Sequence, residues 1–200
     1  MKYLLTILSI SCFKFSALCQ NSGYKYEPFG HRTSYEQGYY YSHTGEKISG
    51  LIKWECSGYL RETGANFILF KPAKGEKKVQ LTTNDVKAFL IGKDSFAIIK
   101  SIARGITKYD KDFARVVSTG SITLYSHCEE TQAYSSTGIE CFYFIRKDGA
   151  LYRLKSKDFQ DKVELLFGDN KGLMNQINDG RLTFDNIEQI VVEYNTVIGK

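Results

Sequence analysis

The sequence has no apolar run long enough to cross a membrane, no block of like charge, few histidines and none of the short motifs of common active sites. Each absence removes a class of function. A spanning helix takes about 20 mostly apolar residues, whereas the most apolar stretch, from Tyr3 to Ile10, is diluted by Ser9 and followed closely by Ser11 and Lys14. Nucleic-acid binders concentrate Lys and Arg on one stripe, but here the 27 basic residues are spread along the chain, so no nucleic-acid partner is expected. The sequence lacks G-x-S-x-G, H-E-x-x-H, C-x-x-C, a Walker A run and G-x-G-x-x-G, and with them a nucleophile elbow, a zinc-protease helix, a redox pair and two nucleotide cradles.

What remains for chemistry is sparse. His31 and His43 fall in a leader and a turn, where solvated side chains are the ordinary case. His127 adjoins Cys128 and, with Cys141, could ligate zinc, since imidazole and thiolate suit that ion. In an exported protein the thiols oxidise to a disulfide instead. The aspartates of YDKDF and FGDNKG do not continue into the oxygen-ligand spacing of a calcium loop and read as surface acids. Ser118 or Ser121 could pair with a distant histidine, since catalytic partners need only be close in space, but nothing in the sequence supports such a pair. No catalytic residue, metal ligand or cofactor is assigned.

What is present points to export. The start, MKYLLTILSISCFKFSALCQ, has one early lysine, an apolar core and small residues further on, the layout of a secretory signal peptide. Ala17 and Cys19 suit cleavage after residue 19. Acylation of Cys12 or Cys19 fits less well, because Cys19 follows Leu18 and Cys12 follows only a very short apolar core. Cleavage would remove Lys2 and Lys14 and no acid, leaving 25 basic against 22 acidic side chains, a net charge of +3 in place of +5. Three cysteines then remain, Cys56, Cys128 and Cys141. An odd number permits one internal bridge and leaves one thiol over. Cys128 with Cys141, the nearest pair, is the expected bridge, and three reduced, buried cysteines are the alternative.

Residues 20–36 show no periodicity and are rich in tyrosine. Tyr24, Tyr26, Tyr35 and Tyr40 could stack on a carbohydrate or pack over the sheet behind them. From residue 37 the side chains alternate. GYYYSHTGEKISGLIKW reads as a hairpin about Thr44-Gly45, and a two-residue loop would set Tyr41 against Ile48 and Tyr39 against Gly50. NFILF, KVQLT, AFLIG, SFAIIK, FARVVS and SITLYS are further strands, with a capped turn in TTNDVKAF and a bend at Gly120. Asp148-Gly149 is a strong hairpin signal that sets Ile145 against Tyr152 and Tyr143 against Leu154. Beyond Leu154 the period lengthens. Phe159, Val163, Leu166 and Phe167 form one helical stripe, Leu173 and Ile177 a second, and Ile187, Ile190, Val191 and Tyr194 a third, with Asp185 and Glu188 at capping-box spacing.

GYYYSHTGEKISGLIKW, KKVQLTTNDVKAFLIG, YFIRKDGALYRL and the terminal VVEYN together resemble a group of secreted proteins of unknown function found in Bacteroidota. The likeness runs from about Gly38 to Asn195 and its motifs are structural, so it implies export and a sheet followed by helices and carries over no site residue. The chain departs from that group by its insertion between Cys128 and Cys141.

The expectation is therefore an α+β protein: a signal peptide over 1–19, a leader over 20–36, and one domain over 37–195. That domain is a curved antiparallel sheet, a roll or open barrel, followed by three short helices from about 156. The expected function is a non-catalytic module of the periplasm, outer membrane or exterior that binds an envelope protein or a glycan. The contact surfaces would be the aromatic leader and the segment between Cys128 and Cys141. A small hydrolase with an unrecognised site and a carbohydrate-binding module are the alternatives.

Overall fold

The computed structural model describes residues 34–56, 66–104, 107–133 and 136–198; side chains are described except those of residue 56, 103–109 and 129–139. The chain forms ten strands, β1 (Glu36–Ser42), β2 (Lys47–Cys56), β3 (Asn66–Lys71), β4 (Val79–Leu81), β5 (Val86–Ile91), β6 (Asp94–Arg104), β7 (Thr107–Ser118), β8 (Thr123–Ala133), β9 (Ser136–Lys147) and β10 (Ala150–Leu154). Three helices follow, α1 (Phe159–Phe167), α2 (Lys171–Asn178) and α3 (Ile187–Ile198). The strands make one open antiparallel sheet in the order β10-β9-β8-β7-β6-β5-β1-β2-β3-β4. It is thus two meanders, β1 to β4 and β5 to β10, joined where β5 pairs with β1.

That join bends the sheet. On a flat sheet β4 and β5 would lie four strand spacings apart, about 19 Å. Only four residues, Thr82 to Asp85, connect them, and they are coiled into a turn: the Val86 and Asp85 amides both donate to the Thr82 carbonyl, at 3.0 Å each. The Asp85 carboxylate accepts from the Thr82 amide and hydroxyl at 2.8 and 2.9 Å. So short a connection requires the sheet to curl, and it does: β3 touches β7 and β2 touches β8.

The curl encloses Ile52, Trp54, Ile68, Phe70, Val86, Phe89, Ile91, Phe96 and Phe113, all buried. Phe89 and Phe96, opposite each other on β5 and β6, stack at 4.5 Å, and Phe113 meets Phe89 edge-on. Alternation places Ile99, Ala114, Tyr125 and Phe144 on the other face, where they form a second apolar cluster. Ser101 has a φ of 59°, which breaks the period of two and lets Ile99 and Ile102 join the same cluster. A third cluster lies under the helices, where Leu124, Ile145 and Leu154 receive Phe159, Val163, Leu166, Leu173, Ile190 and Tyr194.

The β9–β10 hairpin has the anticipated register, with Ile145 opposite Tyr152 and Tyr143 opposite Leu154, and both turn residues, Asp148 and Gly149, have positive φ. The first hairpin differs by one residue. Tyr40 pairs with Ile48 and Tyr39 with Ser49, because the loop has three residues, His43 to Gly45, closed by the Ser42 amide on the Glu46 carbonyl at 2.9 Å. The Ser42 hydroxyl also accepts from the Glu46 amide, and Gly45 takes a φ of 89°. The slip turns Tyr40 toward the core, and Tyr39 and Tyr41 to the other side.

The helical stripes are buried as their periodicity predicts. The cap of α3 lies two residues earlier than the Asp185 and Glu188 spacing implies: the Thr183 amide donates to the Asn186 side chain at 3.0 Å, opening a short 3-10 turn before the helix.

Candidate functional site

The anticipated bridge is present, with the Cys128 and Cys141 sulfurs 2.02 Å apart. The two residues face each other directly across β8 and β9, and pairing continues past them to Ala133 opposite Ser136. The segment between the cysteines is therefore the extended end of the hairpin, not a stapled loop. With both thiols in the bridge, the ring of His127 takes a different partner from the zinc reading. The signal peptide, Cys12 and most of the leader, including Tyr24 and Tyr26, lie outside the described residues, as does the side chain of Cys56.

Tyr35 lies beneath the Lys71 ammonium, 4.4 Å from it, while Tyr40 packs edge-on against Phe70 at 5.1 Å. Phe70 and Lys71 are consecutive on β3 and point to opposite faces, so the two rings do not share a platform. Burial, with the nearby charges of Glu46 and Asp85, raises the Tyr40 hydroxyl pKa above its ordinary value.

Two polar clusters emerge that the sequence did not reveal. The first is wholly interior. Asp112, taken from YDKDF as a surface acid, is fully buried with Asn66 and His127. The His127 Nε2 lies 2.8 Å from the Asp112 Oδ2. Asn66 donates its amide to the Asp112 Oδ1 at 3.1 Å, and its side-chain nitrogen to the Asp112 Oδ2, the Phe113 carbonyl and the Cys128 carbonyl at 3.1, 3.3 and 3.2 Å. The β7–β8 ladder runs from Arg115 opposite Ser126 to Ser118 opposite Leu124. Beyond Arg115, Asn66 reaches in from β3 and bonds carbonyls of both strands. The cluster is a seam where β3 meets β7 and β8 across the curl. Its histidine and carboxylate are each 0 % exposed, so no substrate reaches them in this conformation.

The second cluster is open to solvent. A depression of about 530 Å³ is lined by His43, Lys87, Ala88, Ala97, Ile98, Lys100 and Lys111. The hairpin registers gather these lysines: Ala88 pairs with Ala97, which sets Lys87 beside Ile98, and Lys100 is directly opposite Lys111. The His43 ring and the Lys111 ammonium both donate to the Thr83 carbonyl, at 3.0 and 3.1 Å, so the β4–β5 turn anchors one wall. A neighbouring depression of about 620 Å³ shares Ile98 and Lys100 and adds Ser101, Arg146, Gly149 and Leu151. Among the described residues, no acidic one lines either depression. Among the described residues, the ion pairs are made by other lysines and arginines, and Lys87, Lys100 and Lys111 make none. Like charges directly opposite on adjacent strands repel, so this arrangement opposes folding slightly and favours an anion.

One signal in the sequence could have found the pair. Closing SFAIIKSIARGITKYDKDF about Gly105 and Ile106 sets Lys100 against Lys111, but the irregular stretch between them hid the hairpin. Ser118, considered as a nucleophile, accepts from the Asn195 side chain at 3.4 Å. Comparison of the chain with protein-family models, with curated proteins and with solved structures finds no match.

Proposed function

We propose that the chain acts outside the cytoplasm as a non-catalytic binding module whose ligand occupies the lysine-lined depression across β5, β6 and β7. The observation that carries this reading is the cross-strand pair Lys100 and Lys111, with Lys87 beside it and no acid among the described residues that line the site. Three ammonium groups held together at a cost in repulsion are accounted for by an anionic ligand that offsets them. The cystine between β8 and β9 supports an oxidising compartment, because such bridges persist outside the cytoplasm and are rare inside it.

The test has two parts. Cell fractionation should place the chain in the exported fraction, with a gel mobility that changes on reduction; a cytoplasmic, fully reduced chain would end the exported reading. Lys100→Gln with Lys111→Gln should abolish retention of the purified protein on an anionic resin at moderate salt. Retention equal to that of the unaltered chain would remove the depression as the binding surface.

A further inference from the structure

We infer that the ligand of this depression carries phosphate or sulfate groups, at least two of them, bound first by Lys87, Lys100 and Lys111 and then by Arg146. The inference rests on the depression being the binding surface and specifies what enters it. Its first support is the kind of cation gathered. An ammonium is a compact charge with three donors that rotate on a flexible stem, and the arginine fork binds phosphate oxygens in pairs. Three ammonium groups approaching from different strands suit a tetrahedral oxyanion, which offers acceptors in every direction and can carry two charges.

The second support is preorganisation. Lys111 is half-buried and spends one donor on the Thr83 carbonyl, which His43 also holds. Its ammonium is therefore fixed on one wall with two donors left for an anion. Ala88, Ala97 and Ile98 also line the depression, so the uncharged part of its lining is apolar and small or branched.

The third support is continuity. Lys100 and Ile98 line both depressions, and the second leads to Arg146, whose guanidinium lies 5.1 Å from the Tyr125 ring centroid. One small anion would fill only the first. A ligand with a second charged group reaches both, and Ser101 and Gly149 beside Arg146 leave room for it because they are small.

Isothermal titration at fixed ionic strength tests this with inorganic phosphate, tripolyphosphate, a heparin hexasaccharide and poly-glutamate. Tripolyphosphate or the hexasaccharide should bind at least tenfold more tightly than inorganic phosphate, and whichever binds better identifies a phosphate- or sulfate-bearing source. Lys100→Gln with Lys111→Gln should weaken that binding at least tenfold, while Lys100→Gln alone, which keeps the Lys111 bond to Thr83, should leave the thermal midpoint without ligand the same or higher, since a repulsive pair has been removed. Arg146→Gln should weaken the longer probes and leave inorganic phosphate unchanged. Lys77→Gln with Lys78→Gln, away from the depression, should change nothing. Poly-glutamate binding that depends on the lysines, without binding of the phosphate or sulfate probes, would overturn this inference and leave the depression standing as a site. Failure of all four probes, or equal binding by the lysine variant, would overturn both.

Discussion

Asp112 occupies a position where a charged side chain needs every partner it can obtain. It lies three residues from Tyr109 and two from Asp110 in a segment that reads as polar surface, yet its side chain is entirely enclosed. Its partners come from β3 and β8, 46 and 15 residues away, a separation no local pattern discloses. A buried acid that loses its neighbour remains in a medium that cannot solvate it. His127→Ala should therefore cost about 3–5 kcal/mol of stability, read from urea unfolding. A cost below about 1 kcal/mol would mean that water reaches the seam in solution.

Among the elements, side-chain anchors decide how the helices meet the sheet. Tyr194 on α3 donates its hydroxyl to Asp169 at 2.7 Å, and Lys147 at the end of β9 donates to the Leu166 carbonyl at 2.9 Å and reaches Asp169 at 3.4 Å. Three elements are tied at one point. Burial works against the Asp169 carboxylate, but the Tyr194 hydrogen bond and the Lys147 charge outweigh it and hold its pKa below the ordinary 3.8. Asp158, where burial is likewise outweighed by Lys162 and the Lys155 amide, is lowered in the same direction. A folded-state pKa below the unfolded one contributes stability that is complete above 3.8 and fades as pH falls below it through the folded values. Thermal midpoints measured from pH 5 to pH 2 should thus fall most steeply below about pH 4. Tyr194→Phe should cost about 1 kcal/mol at neutral pH and flatten that acid limb; an unchanged limb would show that the anchor does not carry it. The Asn195 side chain makes a further tie, accepting from the Ile122 amide and donating to its carbonyl, both at 3.0 Å.

The same scale shows where turn chemistry exceeded its motif. Asp148-Gly149 specified its hairpin because two positive φ values match a two-residue loop. Thr44-Gly45 did not, because Ser42 pairs with Glu46 and gives the loop a third residue. One residue of slip put Tyr40, considered for sugar stacking, edge-on against Phe70.

For the whole molecule, the Cys128–Cys141 bridge and the Asn66 seam tie the curled sheet from two directions. The bridge closes a loop of 13 residues in sequence separation, and removing it with Cys128→Ala and Cys141→Ala should cost about 3 kcal/mol through the freedom gained by the unfolded chain. Denaturant midpoints that are the same with and without reductant would contradict this. The open edges are guarded differently. β4 is three residues long and follows Lys77 and Lys78, a short charged border that discourages strand addition.

The amino-acid sequence by itself determined the change from a period of two to a helical one after Leu154, the faces of the three helices, the β9–β10 register and the cysteine pair, because each depends on residues a few positions apart. Only the tertiary structure decided that β5 returns to pair with β1, that Asp112 is interior, and that lysines at 87, 100 and 111 share one depression. Charge that looks dispersed along a chain becomes concentrated when antiparallel registers place distant residues opposite one another, and those registers depend on turns and long-range contacts that no local window contains.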